Sequence, residues 1–358
     1  MSLPPCNPIL VEVTRGPLVE SVHRGAVAVS NADGRLALAY GDVLRPVFAR
    51  SAIKLIQALP LVESGASARF GFGAAEIALA CGSHVGSPRH VDVARSMLDR
   101  IGFDESCLAC GAAEPIGSRA ARALAASGGR ATPLHHTCSG KHLGFLAAAV
   151  IVGPAPTASS PSSYAEPSHP VQRAIKAAVR DLSGYEISSA TCGTDGCSVP
   201  TFAMPLSALA RVFAQVADRS GLPPERATAL ETILNACWAE PELVAGPGWA
   251  DTAVMAAMPG RIYMKTGAEG VYCGALPEYG LGFALKIDDG AQRAAAAAVM
   301  PLIEALLPAA RGLVKRGVLK TASGREVGTI RTSTDYEAAL QRLSPTETAP
   351  RAIAAGGR

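Results

Sequence analysis

Ala49-Arg50-Ser51-Ala52-Ile53-Lys54 runs into Leu55, Ile56, Ala58 and Leu59, apolar residues at helical spacing that predict a buried helix with Ser51 at its mouth. Three residues is just under one turn, so the Ser51 hydroxyl and the Lys54 amine share a face. A serine hydroxyl is a poor nucleophile until a base takes its proton. A lysine does that only when burial or a neighbouring cation keeps it neutral. The positive potential of a helix N-terminus at Ser51 would favour a developing oxyanion. The plainer reading of the same tetrad is an N-capping serine followed by a surface lysine.

The two readings separate downstream. Met264-Lys265-Thr266-Gly267 sits in a strand-like setting, and Ser-x-x-Lys followed late in a chain by Lys-Thr-Gly is the pairing of the penicillin-recognising serine enzymes. Working outward, Ile9 to Val13, Val22 to Val29 and Leu36 to Tyr40 read as strands, with Asn31-Ala32-Asp33-Gly34 as a hairpin turn. Helical patterns cover Ala74 to Ala80, Arg89 to Ile101, Ser118 to Ala126, Gly140 to Val152, Val171 to Leu182, Leu206 to Ala217 and Glu225 to Trp238. Strand-like runs return at Arg261 to Lys265, Val271 to Ala275 and Gly282 to Ile287, and an Ala-rich helix spans Gln292 to Leu307. Pro154 to Pro167, dense in Pro, Ser and Ala, reads as a mobile surface loop.

The order is therefore sheet, helices, sheet, helix, an α/β (α+β) arrangement in which the first and last blocks form one antiparallel sheet. It divides into a discontinuous sheet domain of residues 1–50 and 255–358 and a mainly helical domain of residues 51–254, with the active site in the cleft between them.

Composition narrows the function. A chain of 358 residues with 49% hydrophobic residues can bury a sizeable core. Its net charge of +3 is spread without a dense Lys/Arg run, which argues against nucleic-acid and membrane-surface partners. Met1-Ser2-Leu3-Pro4-Pro5-Cys6 carries no signal-peptide pattern, and the longest apolar run, about Leu143 to Val152, is too short to span a bilayer. Nine cysteines, an odd number, favour free thiols in a reducing compartment, which points to the cytoplasm.

The densest polar cluster is His135-His136-Thr137-Cys138-Ser139-Gly140-Lys141-His142, immediately before an apolar helix. Cys138 and Lys141 share a face at a helix start, as Cys138 and His142 would. Thr191-Cys192-Gly193-Thr194-Asp195-Gly196-Cys197-Ser198 is a second thiol-bearing turn. Two thiolates from these loops, with a nitrogen from His or an unusual neutral Lys, suit zinc; small buried fillers are the alternative. Cys107-Leu108-Ala109-Cys110, a single Cys-x-x-Cys with no matching second pair, reads as structural. In Cys81-Gly82-Ser83-His84, Ser83 is either a second functional hydroxyl, a nucleophile or a proton relay to Lys265, or a serine satisfied by its turn.

Together, Arg50-Ser51-x-x-Lys54, Cys81-Gly82-Ser83-His84, His136-Thr137-Cys138-Ser139-Gly140-Lys141-His142, Asp195-Gly196-Cys197-Ser198-x-Pro200 and Lys265-Thr266-Gly267-Ala268-Glu269-Gly270 resemble the rhizobial-type, or class 3, L-asparaginases, the group of the Rhizobium etli enzymes. The resemblance runs from the first strands to about Leu307. It implies a serine β-lactamase/penicillin-binding-protein-like fold, a homodimer, and an amidohydrolase that converts L-asparagine to L-aspartate and ammonia. It also implies two Ser-Lys pairs, here Ser51 with Lys54 and Ser83 with Lys265. The family's Zn2+ site falls on Cys138, Lys141 and Cys197, completed by water, with His142 and Asp195 close by and Arg50 a candidate for holding substrate charge. The chemistry expected is acyl transfer through a serine ester.

Two rivals stand against this. A lactam- or peptide-acting serine hydrolase of the same fold predicts an export signal and a Ser/Tyr-x-Asn element, and Ser83-His84-Val85 is a poor version of the latter. In a non-catalytic zinc-binding scaffold, Cys138, Lys141 and Cys197 would only staple loops.

Overall fold

The computed structural model describes residues 6–154, 163–315 and 317–343. It is a mixed α/β structure with an antiparallel sheet and helices. The strands are β1 (Ile9–Arg15), β2 (Leu18–Asn31), β3 (Leu36–Tyr40), β4 (Pro46–Phe48), β5 (Cys192–Thr194), β6 (Pro200–Pro205), β7 (Tyr263–Gly267), β8 (Val271–Leu276), β9 (Leu281–Ile287), β10 (Val318–Lys320) and β11 (Glu326–Thr332). Residues 155–162 of the predicted surface loop lie outside the described residues.

The chain divides into two compact units. The first comprises the described residues of Met1–Ala52, Met204–Gly221 and Met264–Arg358. Its sheet runs β10-β11-β1-β2-β9-β8-β7, with β3 also paired to β2. Opening and closing segments do form one sheet: Ala28 of β2 stands opposite Ala284 of β9.

Strand β2 changes partner and character halfway along. Leu18–Arg24 pairs with β1 and is mostly exposed, whereas Gly25–Ser30 is buried and lies between β9 and β3. Gly25 marks the switch. A Cβ there would sit 2.2 Å from the Lys286 carbonyl oxygen, a contact only glycine avoids. Strands β8 and β9 are buried almost throughout, so both faces are covered. The helices Leu206–Asp218 and Gln292–Leu306 supply that cover.

Sequence order had placed the Leu206–Asp218 helix among the helices of residues 51–254, but it packs on the sheet. Gly282 explains how: a Cβ there would lie 2.1 Å from Ala214 N, so the bare backbone lets the helix settle onto β9. Beyond Pro308 the chain adds β10 and β11, and β11 pairs antiparallel with β1, Val11 opposite Thr332.

The second unit, Ile53–Ala203 with Leu222–Tyr263, is mainly helical. Its centre is the helix Ser139–Val152, in which every residue from Ser139 to Ala149 is buried. A helix buried on all sides needs neighbours all round, and Leu59–Glu63, Ala74–Ala80, Pro88–Ile101 and Pro170–Ser183 supply them. Gly140 and Gly144, four residues apart on one face, admit the Ala74–Ala80 helix: their added Cβ atoms would lie 2.3 Å from the Leu79 carbonyl oxygen and 3.2 Å from the Ala80 Cβ. Burial of Leu143, Phe145 and Leu146 contributes about 1.5–3 kcal/mol each. The start of this helix is thereby held fixed, and Cys138, Lys141 and His142 are at that start.

No helix among the described residues is long and apolar enough to cross a membrane.

Candidate active site

Ser51 lies in the 3-10 turn Arg50–Ile53, and Lys54 opens the helix Lys54–Gln57 that continues it. The turn closes with Ala52 N donating to the Ala49 carbonyl at 3.2 Å. Arg50, next to Ser51, has φ +49, a left-handed conformation that costs a non-glycine residue about 1–3 kcal/mol. Such strain is retained where the surrounding structure fixes it.

Within the first unit, this turn meets the Lys-Thr-Gly strand. A Cβ on Gly267 would stand 3.0 Å from Ala52 N and 3.1 Å from the Ala49 carbonyl oxygen, so glycine is what lets β7 lie against the turn that carries Ser51. Lys265 is fully buried on β7 and its amine donates to the Thr266 carbonyl at 2.7 Å. Gln292 Nε2 ties down the Gly267 carbonyl at 2.6 Å.

Within the second unit, Lys54 is also fully buried. Its amine donates to the Gly82 carbonyl and, at 3.5 Å, to the Thr137 carbonyl. Among the described residues no carboxylate pairs with it. Ser83 follows Gly82, its N–H bound to the Val244 carbonyl at 2.8 Å. Its hydroxyl is buried and has no hydrogen-bond partner among the described residues. A buried hydroxyl without a partner carries a desolvation cost of about 1–3 kcal/mol, which a bound molecule could relieve.

The thiols converge as well. Lys141 Nζ donates to Cys197 Sγ at 2.9 Å, and the Cys138 thiol lies within the influence of both. Cys197 beside it holds the Cys138 thiol well below the ordinary value, with help from Lys54 and Lys141 and against burial. Cys197, with Cys138 beside it and itself buried, is pushed up. Burial pulls the Lys141 amine down, but the sulfurs of Cys138 and Cys197 and the Asp195 carboxylate outweigh it, and its value is raised. Two sulfurs and one nitrogen meeting at one buried point are a donor set suited to a borderline-soft cation. The set depends on Lys141, because among the described residues no three His, Cys, Asp or Glu side chains cluster as a metal site.

His142 is fully enclosed, and burial keeps it neutral by lowering its value well below that of a free imidazole. Tyr164 Oη accepts from Ala109 N at 2.8 Å and lies 2.9 Å from His142 Nδ1, so the phenol gives its own proton to that nitrogen. Nε2 then carries the hydrogen, and it has no partner among the described residues. Asp195 is half-buried in the turn between β5 and β6, its carboxylate capping Gly196 N at 2.8 Å. Ser198, just beyond Cys197, has φ +71.

The structure thus gathers Lys54, Ser83, Cys138, Lys141, His142, Asp195 and Cys197 on the second unit, and Arg50, Ser51 and Lys265 on the first. Sequence reasoning missed Tyr164, which lies within the Pro/Ser/Ala-rich run expected to be a mobile surface loop and is instead fully buried, and Ser139, also fully buried. A lone tyrosine flanked by small residues was the one available signal for Tyr164. All nine cysteines are free, and burial pushes Cys110 up to about 12.

A comparison with curated proteins found no match. Among solved structures, the chain is similar to the crystal structures of Mglu in its native form (14% identity, TM-score 0.43) and in its glutamate form (15% identity, TM-score 0.39). Each similarity covers 78% of this chain, which spans only 63% and 60% of those chains. The family model of L-asparaginase II matches residues 11–332, nearly the whole described chain, and the protein belongs to that family.

Proposed function

We propose that the protein is an L-asparaginase, an amidohydrolase converting L-asparagine to L-aspartate and ammonia. In a chain of the L-asparaginase II family, the observation that carries this reading is Lys54: a buried amine, bonded only to carbonyls among the described residues, three positions after a serine.

Ser51, relieved of its proton by Lys54, attacks the side-chain amide carbon. The amide nitrogen takes a proton and leaves as ammonia. Water then hydrolyses the β-aspartyl ester and returns the proton. Ser83 and Lys265 relay protons or orient the nucleophile, and the Ser83 hydroxyl, without a partner among the described residues, is available for that. The His142 Nε2–H suits a substrate carboxylate oxygen, Arg50 adds positive charge, and Asp195 suits the α-ammonium.

Cys138, Lys141 and Cys197 would hold Zn2+, as their convergence supports. Bound there, the cation would supply a fixed positive charge that selects the amino-acid end of the substrate. The finer fold assignment, serine β-lactamase-like, and a homodimeric state belong to the same proposal, as does a cytoplasmic location, which nine free thiols favour.

Ammonia release from a panel of amides, L-asparagine first, beside metal analysis with and without chelator, tests the reading. Bound metal with no amide hydrolysed would sink it and leave a zinc-holding scaffold. A hydrophobic pocket separates substrates one methylene apart by only about 1–3 kcal/mol, so glutamine belongs in the panel.

A further inference from the structure

The carbonyls that seat the Lys54 amine belong to two separate segments, Gly82 in the loop 82–86 and Thr137 in the segment 134–139. Each amide plane must be held for the seat to keep its shape. On one side the loop is fixed by Ser83 N to the Val244 carbonyl at 2.8 Å and Val85 N to the Ala245 carbonyl at 3.1 Å. On the other, the hydrogen bonds that join it directly to 134–139 among the described residues both come from His84. Its N–H donates to the Thr137 carbonyl at 3.2 Å, and its Nε2 lies 2.9 Å from Ser139 Oγ.

The proton positions follow from the partners. Gly86 N donates to His84 Nδ1 at 3.1 Å, so Nδ1 is the acceptor and Nε2 carries the hydrogen. Nε2–H therefore donates to Ser139 Oγ, whose own proton goes to the Leu134 carbonyl at 3.1 Å. The ring is fully buried and stacks on His90 at 4.9 Å between centroids, 14° from parallel. His90 is fixed in turn by Nε2 to the Glu242 carbonyl at 2.9 Å. The backbone N–H and both ring nitrogens of His84 are thus used in holding the loop.

We propose that His84 is a positioning residue for Lys54: through Ser139 it locks the loop 82–86 to the segment 134–139 and so fixes the carbonyl seat of the amine. This rests on the reading of Lys54 as the base in amide hydrolysis.

Glutamine and asparagine divide the imidazole's two bonds between them. In His84→Gln the side-chain amide reaches the Nε2 position and can still donate to Ser139, whereas His84→Asn keeps only an acceptor for Gly86 N. Ser139→Ala removes the same link from its other end, in case the histidine variants fold poorly. Ammonia release from L-asparagine is followed against pH for wild type and all three, with a thermal melt of each. His84→Gln should keep kcat within about threefold. His84→Asn and Ser139→Ala should each lose about 10- to 100-fold in kcat with KM little changed, and the acid limb of their kcat profiles should move. A merely structural histidine would lower the melting temperature and leave kcat and its pH profile alone, and that result overturns the proposal. So does equal loss in His84→Gln and His84→Asn. If wild type releases no ammonia from any amide, the proposed function itself fails and this inference falls with it. An active wild type with unaffected variants refutes only the role of His84.

Discussion

Acidification should cost this fold stability, and His84 and His90 contribute to that loss beside the fully buried His142. Burial, then His90 and Lys54, hold His84 well below the free value, with His136 adding to them and Cys138 opposing. Burial and Arg89 likewise lower His90 against the pull of Glu242. In the unfolded chain each ring takes its proton near pH 6.5, while in the fold both stay neutral below that. The unfolded state then binds more protons as the pH falls. Stability is therefore full above about pH 6.5 and is lost below it, until the folded-state values are reached. At one unit below the free value each residue forfeits at most about 1.4 kcal/mol, so moving from about pH 7.5 to about pH 5.5 should remove up to about 3 kcal/mol through these two rings. That is a large share of a total of about 5–15 kcal/mol. Guanidinium unfolding at the two pH values reads it directly. His84→Gln, which keeps the bond to Ser139, should reduce the acid loss by up to about 1.4 kcal/mol. A midpoint that does not move between the two pH values, or an acid loss the variant leaves unchanged, would refute the assignment of these rings as neutral and buried.

Gly140→Ala would force a Cβ to within 2.3 Å of the Leu79 carbonyl oxygen and should lower stability by about 1–3 kcal/mol or more, read as a lower melting temperature; a neutral result would mean the two helices do not meet as described. Lys141→Met should reduce bound zinc, measured by elemental analysis after dialysis, to a small fraction of wild type, and equal loading would remove the amine from the donor set. Iodoacetamide at about pH 8 should modify the exposed Cys6 and spare Cys110, whose thiol burial pushes up to about 12; fast alkylation of Cys110 in the folded protein would contradict its enclosure.

Much of this architecture was legible in local patterns. The strands Ile9–Arg15 and Leu36–Tyr40 follow from short β-rich runs, and helices such as Pro88–Ile101 from the 3.6-residue spacing of their buried residues. What escaped depends on distant partners. That Leu206–Asp218 packs on the sheet is decided by glycine at position 282, and that β11 completes the sheet beside β1 is decided by a pairing more than 300 residues long. The functional residues divide in the same way. Cys138 and Lys141 announce themselves by spacing, but Tyr164 acts by giving one proton to His142 Nδ1, and His84 acts by donating to Ser139. Neither bond has any trace in the order of residues.

The central claim is that Ser51, activated by Lys54, carries the acyl group. Rapid acid quench of the enzyme with L-asparagine, followed by peptide mass analysis, tests it most directly. The expected result is a mass increase of one aspartyl group on the peptide containing Ser51, absent in Ser51→Ala, which should keep its fold and lose turnover by about three orders of magnitude or more. An adduct on the Ser83 peptide instead, or near-normal ammonia release by Ser51→Ala, would contradict it.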